Sequence, residues 1–140
     1  MHTQILAPAA VLIIWSLIML IWMAAVRLPA LAHANIPIGK RRGGRGQDLE
    51  GVLAPEVNWK AHNYAHLMEQ PTLFYACVLI LALVGYSQAV LIAAWLYAAL
   101  RIAHSLWQAL VNTVPFRFAL FLLSSLALLF MAINALISTV

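Results

Sequence analysis

The stretch "HNYAHLMEQPTLFYACVLILALVG", His62 to Gly85, decides how the chain is read. Its second half is apolar enough for lipid. From Gln70 to Val84, however, a helix covers only about 22 Å at about 1.5 Å per residue, short of a hydrocarbon core of about 30 Å. A helix that crosses must therefore recruit the residues just before it, and those are polar. His66 and Glu69 are drawn to membrane depth.

The surrounding composition agrees with a membrane-spanning reading. The 140 residues are 65% hydrophobic and 9% charged, against about 25% charged for a soluble domain. Apolar runs extend from Ala7 to Val26, Gln70 to Val84, Ala89 to Val111, and Phe118 to the C-terminus. These predict an all-α integral membrane protein whose four transmembrane helices form a left-handed up-down bundle, with helices over about 5–27, 57–84, 89–112 and 116–138. The first run resembles a signal peptide in ending near "ALAHA", but no Lys or Arg precedes it and Arg27 follows it. It is read as a retained helix. The single cysteine, Cys77, lies in an apolar run, allows no intrachain disulfide, and is read as a small buried hydrophobe.

Topology follows from the connections. Residues 28–56 contain "GKRRGGRG", with Lys40, Arg41, Arg42 and Arg45, whereas the second and third helices are joined by the uncharged "GYSQ". The positive-inside rule places this basic loop in the cytoplasm together with the "NTVPFR" turn that carries Arg117, and both termini on the opposite side. A basic loop could also meet anionic lipid or nucleic acid. A topology signal in a flexible, solvated segment accounts for it, so membrane lipid but no nucleic acid is expected as a partner. Trp15, Trp22, Trp95 and Trp107 are read as lipid or interface anchors.

Polar residues inside the helices fall into stripes. On the third helix Arg101, His104, Ser105, Gln108 and Asn112 stand at offsets of 0, 3, 4, 7 and 11, one helical face, with Ala94, Ala98, Ala99 and Ala103 on the packing side. On the second helix His62, His66 and Glu69 stand at offsets of 0, 4 and 7. Counting outward from the hairpin turn brings Glu69 to the level of His104, His66 to Trp107 and Gln108, and His62 to Val111 and Asn112. A Glu69–Arg101 pairing is expected, because ionisable groups at this depth pair or line a wet cavity. Pro71 frees the carbonyl of Leu67 and kinks the second helix beside the stripe. With Arg27 ending the first helix and Arg117 opening the fourth, the stripes suggest a cationic cavity for a small anion that also bears an amine.

The run "HLMEQPTLFYA", His66 to Ala76, followed by "LRIAHSLWQALVNTVPFRF", resembles bacterial members of the MAPEG group, the membrane-associated proteins in eicosanoid and glutathione metabolism. The specific part of the resemblance spans residues 60 to 118. It implies a single MAPEG-like domain over residues 1–140, homotrimeric assembly, an inner bacterial membrane, and glutathione bound between protomers near the cytoplasmic face. Carried over by position, Glu69 matches a glutamate that contacts the glutathione amine, and Arg27 matches the basic residue ending helix one. Arg101 matches the helix-three arginine, and Arg117 matches the arginine that stabilises the thiolate. His66 and His62 stand where the group commonly has asparagine and arginine, and His104, Ser105 and Trp107 stand where it carries tyrosines.

The resemblance thus implies a glutathione-dependent transferase or peroxidase-like enzyme acting on lipophilic electrophiles. Arg117 is the catalytic candidate, since a guanidinium favours the thiolate without titrating. Glu69, Arg101, Arg27, His66, His62, Lys60 and His104 are the binding candidates. Two other readings stay open. One is a non-catalytic protein of this fold that binds lipid or another small anion. The other is a metal site on His62, His66 and Glu69, whose spacing can hold zinc.

Overall fold

The computed structural model describes residues 3–40 and 42–140, and Arg41 of the basic loop lies outside them. Five α-helices account for most of the chain: α1 (Leu6–His33), α2 (Pro55–Leu67), α3 (Pro71–Val84), α4 (Gln88–Leu110) and α5 (Val114–Thr139). α2 and α3 together make one span, so four helical segments are long and apolar enough to cross a membrane. The chain is an all-α, multi-pass integral membrane protein. Ile13, Leu17, Ile21, Leu83, Leu136 and Ile137 are exposed on the outside of the bundle, where lipid takes the place of water.

The core is built from all spans. Leu12 and Met19 of α1, Phe74 and Leu81 of α3, Tyr97 of α4 and Met131 of α5 are buried together. The α3–α4 hairpin turns at Gly85, whose φ of 97° suits a residue without Cβ, and Ser87 caps α4 by accepting from Val90 N at 3.4 Å. α3 meets α4 through the Phe74 ring, stacked on Tyr97 at 4.3 Å. Ala94 and Ala98 are buried as a packing face requires, whereas Ala99 and Ala103 face outward.

Three features differ from the sequence expectation. The second span breaks rather than kinks: Met68, Glu69 and Gln70 leave the helix before Pro71 restarts it at the first position of α3. Proline has no N–H for the Leu67 carbonyl, and it is well tolerated where a helix begins. The first helix continues to His33 instead of ending near residue 27. Its extra turns carry Leu31, which packs with Leu49 and Leu53 from the loop. The connection is therefore anchored at Leu49 and Leu53, after a 3-10 turn at Gly46–Leu49, while the described residues of the basic stretch 39–48 are exposed. Trp15, read as an anchor, points inward and donates to Ser105 Oγ at 3.0 Å, tying α1 to α4.

Candidate functional site

The break in the second span organises the site. A helix end leaves its last carbonyls without partners, and Arg101, fully buried on α4, supplies one. Its Nη2 donates to the carbonyl of His66 at 3.2 Å and to Nδ1 of the same residue at 2.9 Å. A cation at a helix C-terminus also meets the negative end of the dipole. On the other side of the break Gln70 donates to Ser125 Oγ at 2.8 Å and accepts from the Tyr97 hydroxyl at 3.3 Å. α4 and α5 thereby hold the interruption from both sides.

The His66 ring stacks on His104, with centroids 4.7 Å apart and planes 18° from parallel, and Phe121 meets His66 edge-on at 5.6 Å. Both imidazoles, with Arg117, Val114, Phe118 and Phe121, line a cavity of about 180 Å³ between α2, α4 and α5. Arg117 reaches it from the first turns of α5, where Nη1 donates to Asn112 Oδ1. Asn112 is placed for this by the end of α4: it adopts φ 58° and its N–H closes onto Trp107 O at 2.7 Å. Asparagine tolerates this left-handed conformation better than most residues. The cavity wall thus holds a guanidinium and two imidazoles, and no carboxylate.

A second cavity, of about 430 Å³, lies between α1, α2 and the loop and is lined by Met23, Arg27, Arg45, Glu50, His62 and their neighbours. Arg27 is held by the loop: its Nη2 donates to Gly46 O at 2.9 Å and to Asn58 Oδ1 at 3.3 Å. A Cβ at Gly46 would stand 2.9 Å from Arg27 Nη1, so a larger residue there would push the guanidinium aside. His62 Nε2 lies 2.8 Å from Glu50 Oε1 in an exposed pair. Lys60 donates to the carbonyl of Glu56 and sits 5.6 Å above the Trp22 ring.

The residues singled out from sequence are thus divided. His66, His104 and Arg117 share the inner cavity, with Arg101 directly behind His66. Arg27 and His62 share the outer one, and Lys60 packs over Trp22. Glu69 stands apart. Released by the break, it is exposed, only its backbone groups are hydrogen bonded, and its carboxylate makes no ion pair with Arg101. The expected Glu69–Arg101 pairing is replaced by the His66–Arg101 contact, because the non-helical step at residues 68–70 turns the carboxylate outward. It also sets His66 against His104, about one turn along α4 from the level counted from the hairpin. His62 correspondingly meets Glu50 rather than the Asn112 level.

The metal reading loses its geometry too, since the break turns Glu69 away while His62 is engaged by Glu50 and His66 by Arg101. His62, His66 and Glu69 point to the loop, to α4 and outward, and no three His, Cys, Asp or Glu gather closely enough for an ion among the described residues. Sequence reasoning passed over Glu50, Gly46 and Asn58, which secure Arg27 and His62. Asn58 does stand four residues before His62 on the same helical face. Gln70, which braces the break, carried no periodic signal.

An apolar groove of about 540 Å³ runs between α3 and α5, lined by Leu73, Cys77, Ile80, Ser125, Leu129 and Leu136 among others. It is lined almost entirely by apolar side chains. No curated protein and no solved structure matches the chain. A family model does, that of the MAPEG family, over residues 5–137. With four spans, a broken second span and a match covering all but the ends of its 140 residues, the chain belongs to the MAPEG family.

Proposed function

We propose that the protein is a glutathione-dependent membrane transferase or peroxidase-like enzyme acting on lipophilic electrophiles, with Arg117 stabilising the thiolate. The observation that carries this reading is the inner cavity: Arg117 shares about 180 Å³ with two imidazoles and three apolar side chains, and no carboxylate lines it. Such a wall favours an anion and penalises a cation, because a guanidinium faces it and no carboxylate offsets that charge. Glutathione, when bound, supplies the nucleophilic sulfur.

The residues fit that ligand in a specific way. The cavity is too small for a whole tripeptide, so it suits the thiol end, and Arg117 holds the sulfur through a charge-assisted hydrogen bond. Asn112 aims the guanidinium by accepting from its Nη1. Phe118, Phe121 and Val114 give the cavity an apolar side for a lipophilic electrophile. Glu69, exposed and without a hydrogen-bond partner for its carboxylate, is available to an ammonium group. Arg27 and His62 line a cavity separate from that of Arg117, and Lys60 packs over Trp22. In the homotrimer we propose, they would face a neighbour's site. The cavities and the basic loop are placed on the cytoplasmic side by the positive charge of residues 40–45.

Calorimetry of glutathione with the detergent-purified protein tests the reading. Saturable binding that Glu69→Gln and Arg117→Ala both weaken is the expected result. Absence of binding at millimolar glutathione, from a well-folded protein, would overturn it in favour of a lipid-binding or structural role.

A further inference from the structure

The Arg101–His66 contact settles which nitrogen of His66 carries hydrogen. A guanidinium has five donors and no acceptor, so the 2.9 Å approach of Arg101 Nη2 to His66 Nδ1 is a hydrogen bond only if Nδ1 holds a lone pair. A single imidazole hydrogen then resides on Nε2. Nε2 makes no hydrogen bond within the described residues and is not sealed off, while the ring forms part of the inner cavity wall. The same guanidinium also grips the His66 carbonyl at 3.2 Å, which fixes the ring's backbone as well as its tautomer.

We infer that His66 is a hydrogen-bond donor into the inner cavity, locked as such by Arg101, and that its Nε2–H and the Arg117 guanidinium together form a two-donor site for one compact anionic sulfur or oxygen. Resting on the glutathione reading, this adds that the ligand's thiolate takes a second, neutral donor beside the cationic one. It excludes two other roles for His66. A nitrogen that already carries hydrogen cannot take the thiol proton, and it cannot ligate a metal. Arg101 touches no cavity surface and is a positioning residue that acts through His66. His104 stacks on the ring without a hydrogen bond of its own and keeps the imidazole plane parallel to its own.

The donor role also gives the position a chemical logic. A hydrogen bond from a neutral N–H to an anion strengthens as negative charge localises on the acceptor, and it adds no further charge to a site that already holds two guanidiniums nearby. An amide N–H of similar reach does the same work, whereas an aliphatic side chain does not.

The test is long-range proton–nitrogen correlation NMR on the full chain, labelled with nitrogen-15 histidine and reconstituted in nanodiscs, with His66 assigned by the signal lost in His66→Gln. The apo protein should show a pyridine-like Nδ1 and a pyrrole-like Nε2. Arg101→Lys should retain that pattern and Arg101→Met should mix the tautomers. A hydrogen on Nδ1, or on both nitrogens, in the wild type overturns the lock whatever the variants do. Thiocyanate, a compact sulfur-bearing anion, is then titrated in. It should shift Nε2 saturably in the wild type, and its affinity measured by calorimetry should be kept in His66→Gln and weakened about tenfold in His66→Leu. No shift overturns the donor site, and a thiocyanate response without any response to glutathione upholds the donor site while removing glutathione as the ligand.

Discussion

Arg101 Nη2 lies 2.9 Å from Nδ1 of His66 and 3.2 Å from its carbonyl oxygen, so one buried side chain of α4 secures both the ring and the frayed end of α2. The contact joins fold and function. The break that Pro71 imposes exposes carbonyls that need a donor, and the donor that arrives also orients a cavity residue.

Removing that donor should cost stability as well as function. Arg101→Met eliminates two hydrogen bonds and leaves His66 Nδ1 without a partner, while the His66 carbonyl keeps the Glu69 N–H and the burial of a charge held in no ion pair is relieved. A net loss of about 1–3 kcal/mol is expected. Thermal unfolding in detergent should show a lowered midpoint, and an unchanged midpoint would mean that the break is held by Gln70 alone.

Arg117→Ala should abolish most turnover without unfolding the protein. Arg117 is partly exposed and its side chain is held by one neighbour, whereas a lost oxyanion-type donor costs about a hundredfold in rate. Asn112→Ala, which frees rather than removes the guanidinium, should fall between Arg117→Ala and wild type. Conjugation of glutathione to a lipophilic aryl halide, read beside thermal stability, checks both. Equal rates in Asn112→Ala and Arg117→Ala would contradict a merely positioning role for Asn112.

Gly46→Ala should loosen the loop from α1. The new Cβ would stand 2.9 Å from Arg27 Nη1, and Arg27 cannot retreat without giving up Gly46 O or Asn58 Oδ1. A local cost of about 1 kcal/mol is expected. Faster hydrogen exchange across residues 46–54 would report it, and unchanged protection would show that the side chain yields freely.

Within the same loop, apolar packing should outweigh the ion pair. His62 and Glu50 are 44% and 55% exposed at their side chains, so Glu50→Gln should change loop protection by no more than about 1 kcal/mol, and less at high salt. Leu49, buried with Leu31 and Leu53, should cost about 2 kcal/mol on substitution by alanine. A larger effect from Glu50→Gln would reverse this ranking.

What could be read from sequence follows from which signals are periodic. Arg101, His104, Ser105 and Gln108 repeat at helical spacing, and all four are buried on the inner face of α4. Four spans were legible because apolar length is itself the physical requirement. The His62, His66 and Glu69 stripe was equally periodic, yet Glu69 does not continue its face. Periodicity assumes an unbroken helix, and residues 68–70 leave the helix before Pro71. Leu49, Leu53 and Val57 do stand at four-residue spacing, but they sit among glycines and charges, and a local spacing does not say that the loop folds back onto Leu31. Asn112 was visible as the last member of the α4 stripe, but its grip on Arg117 depends on a left-handed backbone that no pattern announces.

The thiolate itself is the most direct measurement. Glutathione added to the detergent-solubilised protein should produce the ultraviolet absorbance of a bound thiolate near neutral pH, rising to saturation and lost in Arg117→Ala. A well-folded wild-type protein that shows no thiolate band at millimolar glutathione, or the same band in Arg117→Ala, would contradict a site built to ionise a thiol.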